Sequence, residues 1–155
     1  MKRSDQIIAF LNDLLKQELT AISQYMLHSV MCEDWGYEKL HDVIEHRAIE
    51  EMKHAEMLME RLLFLEGKPI LSELNKLHVG DAVDVQFQFD HESEIGAVKL
   101  YNDGIRLAVE VGDNGTRELF ETILKDEENH VDWLESQLDQ IDQMGLPNYL
   151  TEQVG

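Results

Sequence analysis

An all-α fold is predicted, a four-helix bundle with a long crossover between helices 2 and 3 and a short C-terminal helix. Three observations predict it. Apolar residues recur in steps of three and four along four long stretches, the spacing of one buried helix face. The two prolines in 155 residues, Pro69 and Pro147, both fall where that period lapses. Residues 76 positions apart match, as in Ala21 and Ala97, Tyr25 and Tyr101, Leu58 and Leu134, and Leu62 and Leu138. Such a repeat is the mark of two similar helical hairpins. With 43% apolar residues, the chain is expected to be one domain over residues 1–155.

Ser4 can cap the first helix, which should run to about Asp34 with Ile7, Leu11, Leu14, Glu18, Ala21, Tyr25 and His28 on its inner seam. Trp35 and Gly36 interrupt it. The second helix, from about Glu38 to Glu66, puts Ile44, Ala48, Glu51, Ala55, Leu58, Leu62 and Leu65 on one face, and Gly67 and Pro69 end it. Residues 68–82 carry no sustained period and read as the crossover, which lets the next helix run parallel to its predecessor. The third helix, about Ala82 to Val111, has the seam Phe87, Asp90, Glu94, Ala97, Tyr101 and Ala108. A tight turn is expected over Gly112 to Gly115. Phe120, Ile123, Glu127, His130, Leu134, Leu138 and Ile141 then mark the fourth helix, capped by Gly145. Pro147 opens a tail long enough for one or two helical turns.

A net charge of -19 argues against nucleic acid or an anionic membrane surface as partner and makes cations the natural counterpart. Cys32 is the single cysteine, which excludes an internal disulfide and fits a reducing compartment; it reads as structural. The apolar run at the N-terminus is broken by Asn12 and Asp13, too early for a signal peptide, and no stretch has the apolar length of a membrane span. The expected location is the cytoplasm.

Polar residues inside apolar seams carry the functional argument. The chain holds three Glu-x-x-His pairs, Glu38/His41, Glu51/His54 and Glu127/His130, and roughly one is expected by chance in so acidic a sequence. Glu38/His41 lies off the repeat register and is taken as that one. The other two sit in helix seams and keep the spacing of 76, as do the lone mid-seam carboxylates Glu18 and Glu94. Four buried carboxylates are costly without partners. Two divalent cations would bring +4 against -4, and carboxylate with imidazole suits iron or manganese. Solvated acidic helix faces are the bland alternative, and six residues in one register weigh against it. Tyr25, on the seam of Glu18, fits a satisfied core aromatic as well as a redox role. Met52 lies about 100° round the helix from Glu51 and roughly 160° from His54, so it faces another surface.

The blocks LNDLLKQELTAISQYMLH, EEMKHAE, LFLEGKP and LKDEENHVDWLE, with the tail MGLPNYL, resemble those of the bacterioferritins, the haem-containing iron-storage proteins among the ferritin-like bundles. The resemblance covers essentially the whole chain. It implies that Glu18, Glu51, His54, Glu94, Glu127 and His130 hold a di-iron ferroxidase centre, with Glu51 and Glu127 bridging. It implies oxidation of Fe(II) by dioxygen or hydrogen peroxide, and storage of ferric mineral in a hollow shell of about twenty-four subunits built from dimers. It further implies haem b between two subunits with Met52 of each as axial ligand, although Glu45 and Met26 stand where relatives carry Tyr and Phe. His46 and Glu50 match an inner-surface iron site of some relatives, Asn148 and Thr151 match pore positions, and a small ferredoxin is the implied reductant. A di-iron peroxidase or oxygenase of the same superfamily is the rival reading, against which stand the missing Cys-x-x-Cys module and second domain.

Overall fold

The computed structural model describes residues 4–155, so the basic Lys2 and Arg3 lie outside it. Five helices follow in order: α1 Asp5–Asp34, α2 Glu38–Phe64, α3 Val83–Glu110, α4 Asn114–Met144 and α5 Leu146–Thr151. The predicted seams are the buried faces. Every seam residue predicted on α1, α2 and α3 is buried, and on α4 only Leu138 and Ile141, near its end, are partly open.

Helices α1 and α2 pack as one antiparallel hairpin and α3 and α4 as another, with α1 also against α3. The core is in two parts. One, at the end of Ile7, Leu11, Leu62 and Phe120, is closed by Tyr101. The other gathers Tyr25, Ile44, Phe87 and Leu134, with Tyr149 of α5 packed in edge to face with Phe87. Between the two lies a polar layer.

The helix ends explain two boundary differences. Helix α2 stops at Phe64, two residues before the expected Glu66, and Glu66 takes φ +62°. The Gly67 amide donates to the Leu62 carbonyl at 2.7 Å and that of Glu66 to Leu63 at 3.1 Å, the paired bonds of a Schellman cap. A glutamate thus occupies the left-handed position usually given to glycine. Gly67 is needed for space, since a Cβ there would lie 2.5 Å from Ile8 Cδ1. The turn expected over Gly112 to Gly115 is shorter, because Asp113 caps α4 by accepting from the Thr116 amide at 3.0 Å and Gly115 is already helical.

The crossover, residues 65–82, has no helix, so its backbone polar groups need partners elsewhere. They find them on α1. Asn12 donates to the Lys68 carbonyl (3.1 Å) and accepts from the Ile70 amide (2.9 Å). Thr20 accepts from Asn75 N (2.8 Å), Gln24 from His78 N (3.1 Å) and His28 Nε2 from Gly80 N (3.1 Å). About one side chain per turn of α1 therefore straps the connection along that helix, which delivers α3 beside α1 and parallel to α2.

Candidate metal centre

All six predicted donors meet in the polar layer, each helix of the bundle supplying its seam carboxylate and α2 and α4 adding a histidine one turn on. Two groups form. Glu18, Glu51, His54 and Glu127 bring one oxygen or nitrogen each within 4.8 Å of one another, and so do Glu51, Glu94, Glu127 and His130. Glu51 and Glu127 belong to both groups. All six residues are at most 3% exposed.

Tyrosines from opposite hairpins hold the outer carboxylates. Tyr101 of α3 donates its hydroxyl proton to Glu18 Oε1 at 2.7 Å, and Tyr25 of α1 donates to Glu94 Oε1. Burial and the surrounding carboxylates raise both phenols well above their ordinary value, so both stay protonated donors. The histidine rings, 6.4 Å apart, turn Nδ1 inward: His54 Nδ1 is 3.0 Å from Glu127 Oε1 and His130 Nδ1 is 2.9 Å from Glu51 Oε1.

The electrostatics are those of a site waiting for positive charge. Burial, then repulsion from Glu18, Glu127 and Glu94, pushes Glu51 well above the carboxylate range, and burial with Glu18 and Glu94 does the same to Glu127. For Glu94 burial also acts upward, but hydrogen bonds from His130, Glu127 and Tyr25 outweigh it and hold the group below its ordinary value. Burial would lower His54, yet hydrogen bonds and charge from Glu127 and Glu18 win and push it up to about 11. These contacts are close but poorly directed: Glu18 Oε2, Glu51 Oε1, Glu94 Oε2, Glu127 Oε1 and His130 Nδ1 are buried without a hydrogen bond of good geometry. Orphaned buried acceptors concentrated in one place, all facing inward, fit cations of the oxygen- and imidazole-binding kind.

A family model described as a ferritin-like domain matches residues 8–144. The bacterioferritin of Rhodobacter capsulatus is 42% identical over 94% of this chain and 90% of its own length. With that identity over nearly its whole length, the chain belongs to the bacterioferritin family. The bacterial ferritin of a Synechocystis species is 40% identical over 99% of both chains, and the Streptomyces coelicolor bacterioferritin 40% identical over 97% of this chain and 90% of its own.

The remaining predicted residues fall outside this candidate centre. Met52 is 45% exposed on α2, pointing away from the six donors, and Met26 and Ile49 are exposed apolar residues of the same hairpin. His46, 68% exposed, lies with Nε2 3.0 Å from Glu50 Oε1. The other oxygen of Glu50 faces inward, 2.7 Å from His130 Nε2. Glu38/His41 stays apart as expected: His41 Nδ1 donates to the Ser29 carbonyl at 2.9 Å and Nε2 faces Glu33. Asn148 and Thr151 bond only within the tail, to Met144 and Asn148 carbonyls. Cys32 is buried against Gln86, as a structural residue would be.

Sequence reasoning missed two groups. Asp126 Oδ2 lies 2.9 Å from His54 Nε2, the counterpart of the Glu50–His130 contact. Positions 50 and 126 keep the same spacing of 76, so the repeat held the signal. The second is a buried layer beyond Tyr25, where Asp90 accepts from Gln24 Nε2 at 2.8 Å and pairs with His28 Nδ1 at 3.0 Å. Burial raises Asp90, against the opposing pull of His28.

Proposed function

We propose that this chain is an iron-storage ferroxidase. Two Fe(II) ions are its substrate, one held by Glu18 and His54, the other by Glu94 and His130, with Glu51 and Glu127 shared. The observation that carries the reading is the pair of four-donor groups with two carboxylates in common, lined by buried acceptors without partners. Two divalent cations balance four carboxylates, so each metal displaces protons that the metal-free site retains. Tyr25 and Tyr101 keep one oxygen of each outer carboxylate engaged and leave the other for metal. The imidazoles turn Nδ1 inward, and iron binding there displaces the proton that His54 holds in the metal-free site. Two Fe(II) together release two electrons, which with two protons reduce hydrogen peroxide to two waters or dioxygen to hydrogen peroxide, and the ferric product moves into a hollow shell of about twenty-four subunits.

Haem b is the further cofactor in this proposal, held between two subunits by the Met52 thioether of each. A half-exposed methionine on an apolar helix face turned away from the ionic centre fits such a ligand. Haem there would supply an electron path, and a small ferredoxin would be the reductant for releasing stored iron. His46 and Glu50 would form an inner-surface iron site. A cytoplasmic setting agrees with the lone reduced Cys32, and among the described residues no helix is long and apolar enough to cross a membrane.

Size-exclusion chromatography combined with anaerobic Fe(II) titration tests the proposal. A very large shell binding two Fe(II) per chain at the centre, and oxidising them faster than free iron, is expected. A monomer or dimer with oxidase or peroxidase activity on an organic substrate would instead support the rival enzyme.

A further inference from the structure

We infer that Asp126 and Glu50 are the positioning residues of the two histidine donors, each acting on one metal position. The inference rests on the metal reading above and goes beyond it to residues that touch neither metal of the centre.

His54 and His130 are buried, and each turns Nε2 to a carboxylate oxygen, Asp126 Oδ2 at 2.9 Å and Glu50 Oε2 at 2.7 Å. A carboxylate oxygen there accepts from Nε2–H, so each ring is held with Nδ1 turned toward the cluster, the nitrogen that would meet a metal. Without that acceptor a ring has no reason to choose this face. The pattern obeys the internal symmetry. Glu50 precedes Glu51 on α2 and reaches across to His130 on α4; Asp126 precedes Glu127 on α4 and reaches back to His54 on α2. Each residue that precedes a shared carboxylate thus aims the imidazole of the other hairpin. A carboxylate behind a metal-bound histidine fixes its orientation and raises its basicity, and losing it commonly costs 10–100-fold in metal affinity.

The two arms end differently. Asp126 is 47% exposed and meets His54 through Oδ2, whereas Glu50 divides its two oxygens between His130 and the exposed His46. Trimming His46 therefore tests whether Glu50 serves the buried ring or a surface cation.

Calorimetric titration of the metal-free full-length assembly with Co(II), followed also by its visible absorption, is the test. Two Co(II) per chain at the centre are expected in the wild type. In Asp126→Ala one of the two affinities should fall 10–100-fold and the other stay, with Asp126→Asn, which keeps an acceptor oxygen, recovering part of the loss. Glu50→Ala should weaken one position equally, and Asp126→Ala/Glu50→Ala should weaken both. His46→Ala should weaken only a further, surface-bound Co(II) shared with Glu50, separate from the two centre positions. Thermal unfolding of the metal-free variants, unchanged within a few degrees, separates positioning from a folding defect. Wild-type affinities in Asp126→Ala and Glu50→Ala would overturn the inference while leaving the metal centre standing. A wild type that binds no Co(II) at the centre would overturn the reading on which it rests.

Discussion

Replacing Glu51 by glutamine should make the metal-free protein more stable while destroying its ability to bind iron. Glu51 belongs to both donor groups, so its carboxylate meets Glu18, Glu127 and Glu94 within 4.8 Å. Two unit charges at that distance repel by about 3.5 kcal/mol at an effective dielectric constant near 20. Burial first, and then this repulsion, favours the protonated form, which is why Glu51 lies well above its ordinary value of about 4.5. Glutamine keeps the shape and removes the conflict. Exchanges of buried ions for neutral groups of similar size stabilise by about 1–4 kcal/mol, and each kcal/mol raises Tm by about 2–4 °C in a chain of this size. The sign with pH follows from the direction of the shift. A carboxylate raised on folding favours the folded state at low pH and loses that contribution as pH climbs through the ordinary value toward the folded one. The advantage of the variant should therefore be absent near pH 4 and open as pH rises to 7. Thermal unfolding of metal-free wild type and Glu51→Gln at both pH values measures it, and Fe(II) titration of the same samples should show both positions weakened. A variant no more stable at pH 7, or equally favoured at pH 4, would refute the reasoning.

Three further outcomes are expected. Asp113→Ala removes the cap of α4 and the 2.8 Å pair with Arg61 and should cost about 1–3 kcal/mol in denaturant unfolding. Burial acts upward on Asp113, but hydrogen bonds from Thr116 and the charge of Arg61 hold it below its ordinary value of 3.8; the difference from wild type should thus be full above that value and fade as pH falls below it. Gly80→Ala would put a Cβ 2.4 Å from the Gln86 amide nitrogen, where only backbone can give way; about 2 kcal/mol or more should be lost, and amide exchange at His78 and Gly80 should quicken. Burial and Asp90 push the Cys32 thiol up to about 12, so alkylation at pH 8 should label it only after unfolding.

The residues that make the bundle were legible because the two things that place them are periodic. Leu11, Leu58 and Phe120 follow the helical turn, and Glu18 with Glu94 or His54 with His130 follow the duplication. Helix ends were read less well, since the left-handed position after α2 went to Glu66 while the glycine beside it answered to the bulk of Ile8. The strap of Asn12, Thr20, Gln24 and His28 was invisible for a deeper reason. Polar residues on the flank of a helix look solvated unless the path of the loop above them is known. Asp126 was hidden the same way, a partly exposed acid among many, and Glu50 was read only with His46, although the spacing of 76 that paired their neighbours also paired them.

The division of donors between the hairpins has a consequence for how the protein matures. The first half of the chain, with its connection already strapped to α1, owns Glu18, Glu51 and His54; the second owns Glu94, Glu127 and His130. Each four-donor group borrows at least one carboxylate from the opposite half. On the proposed reading neither half completes a four-donor group by itself, so tight binding of two irons should wait until both halves have docked. Metal capture becomes a report that the two halves have docked in register.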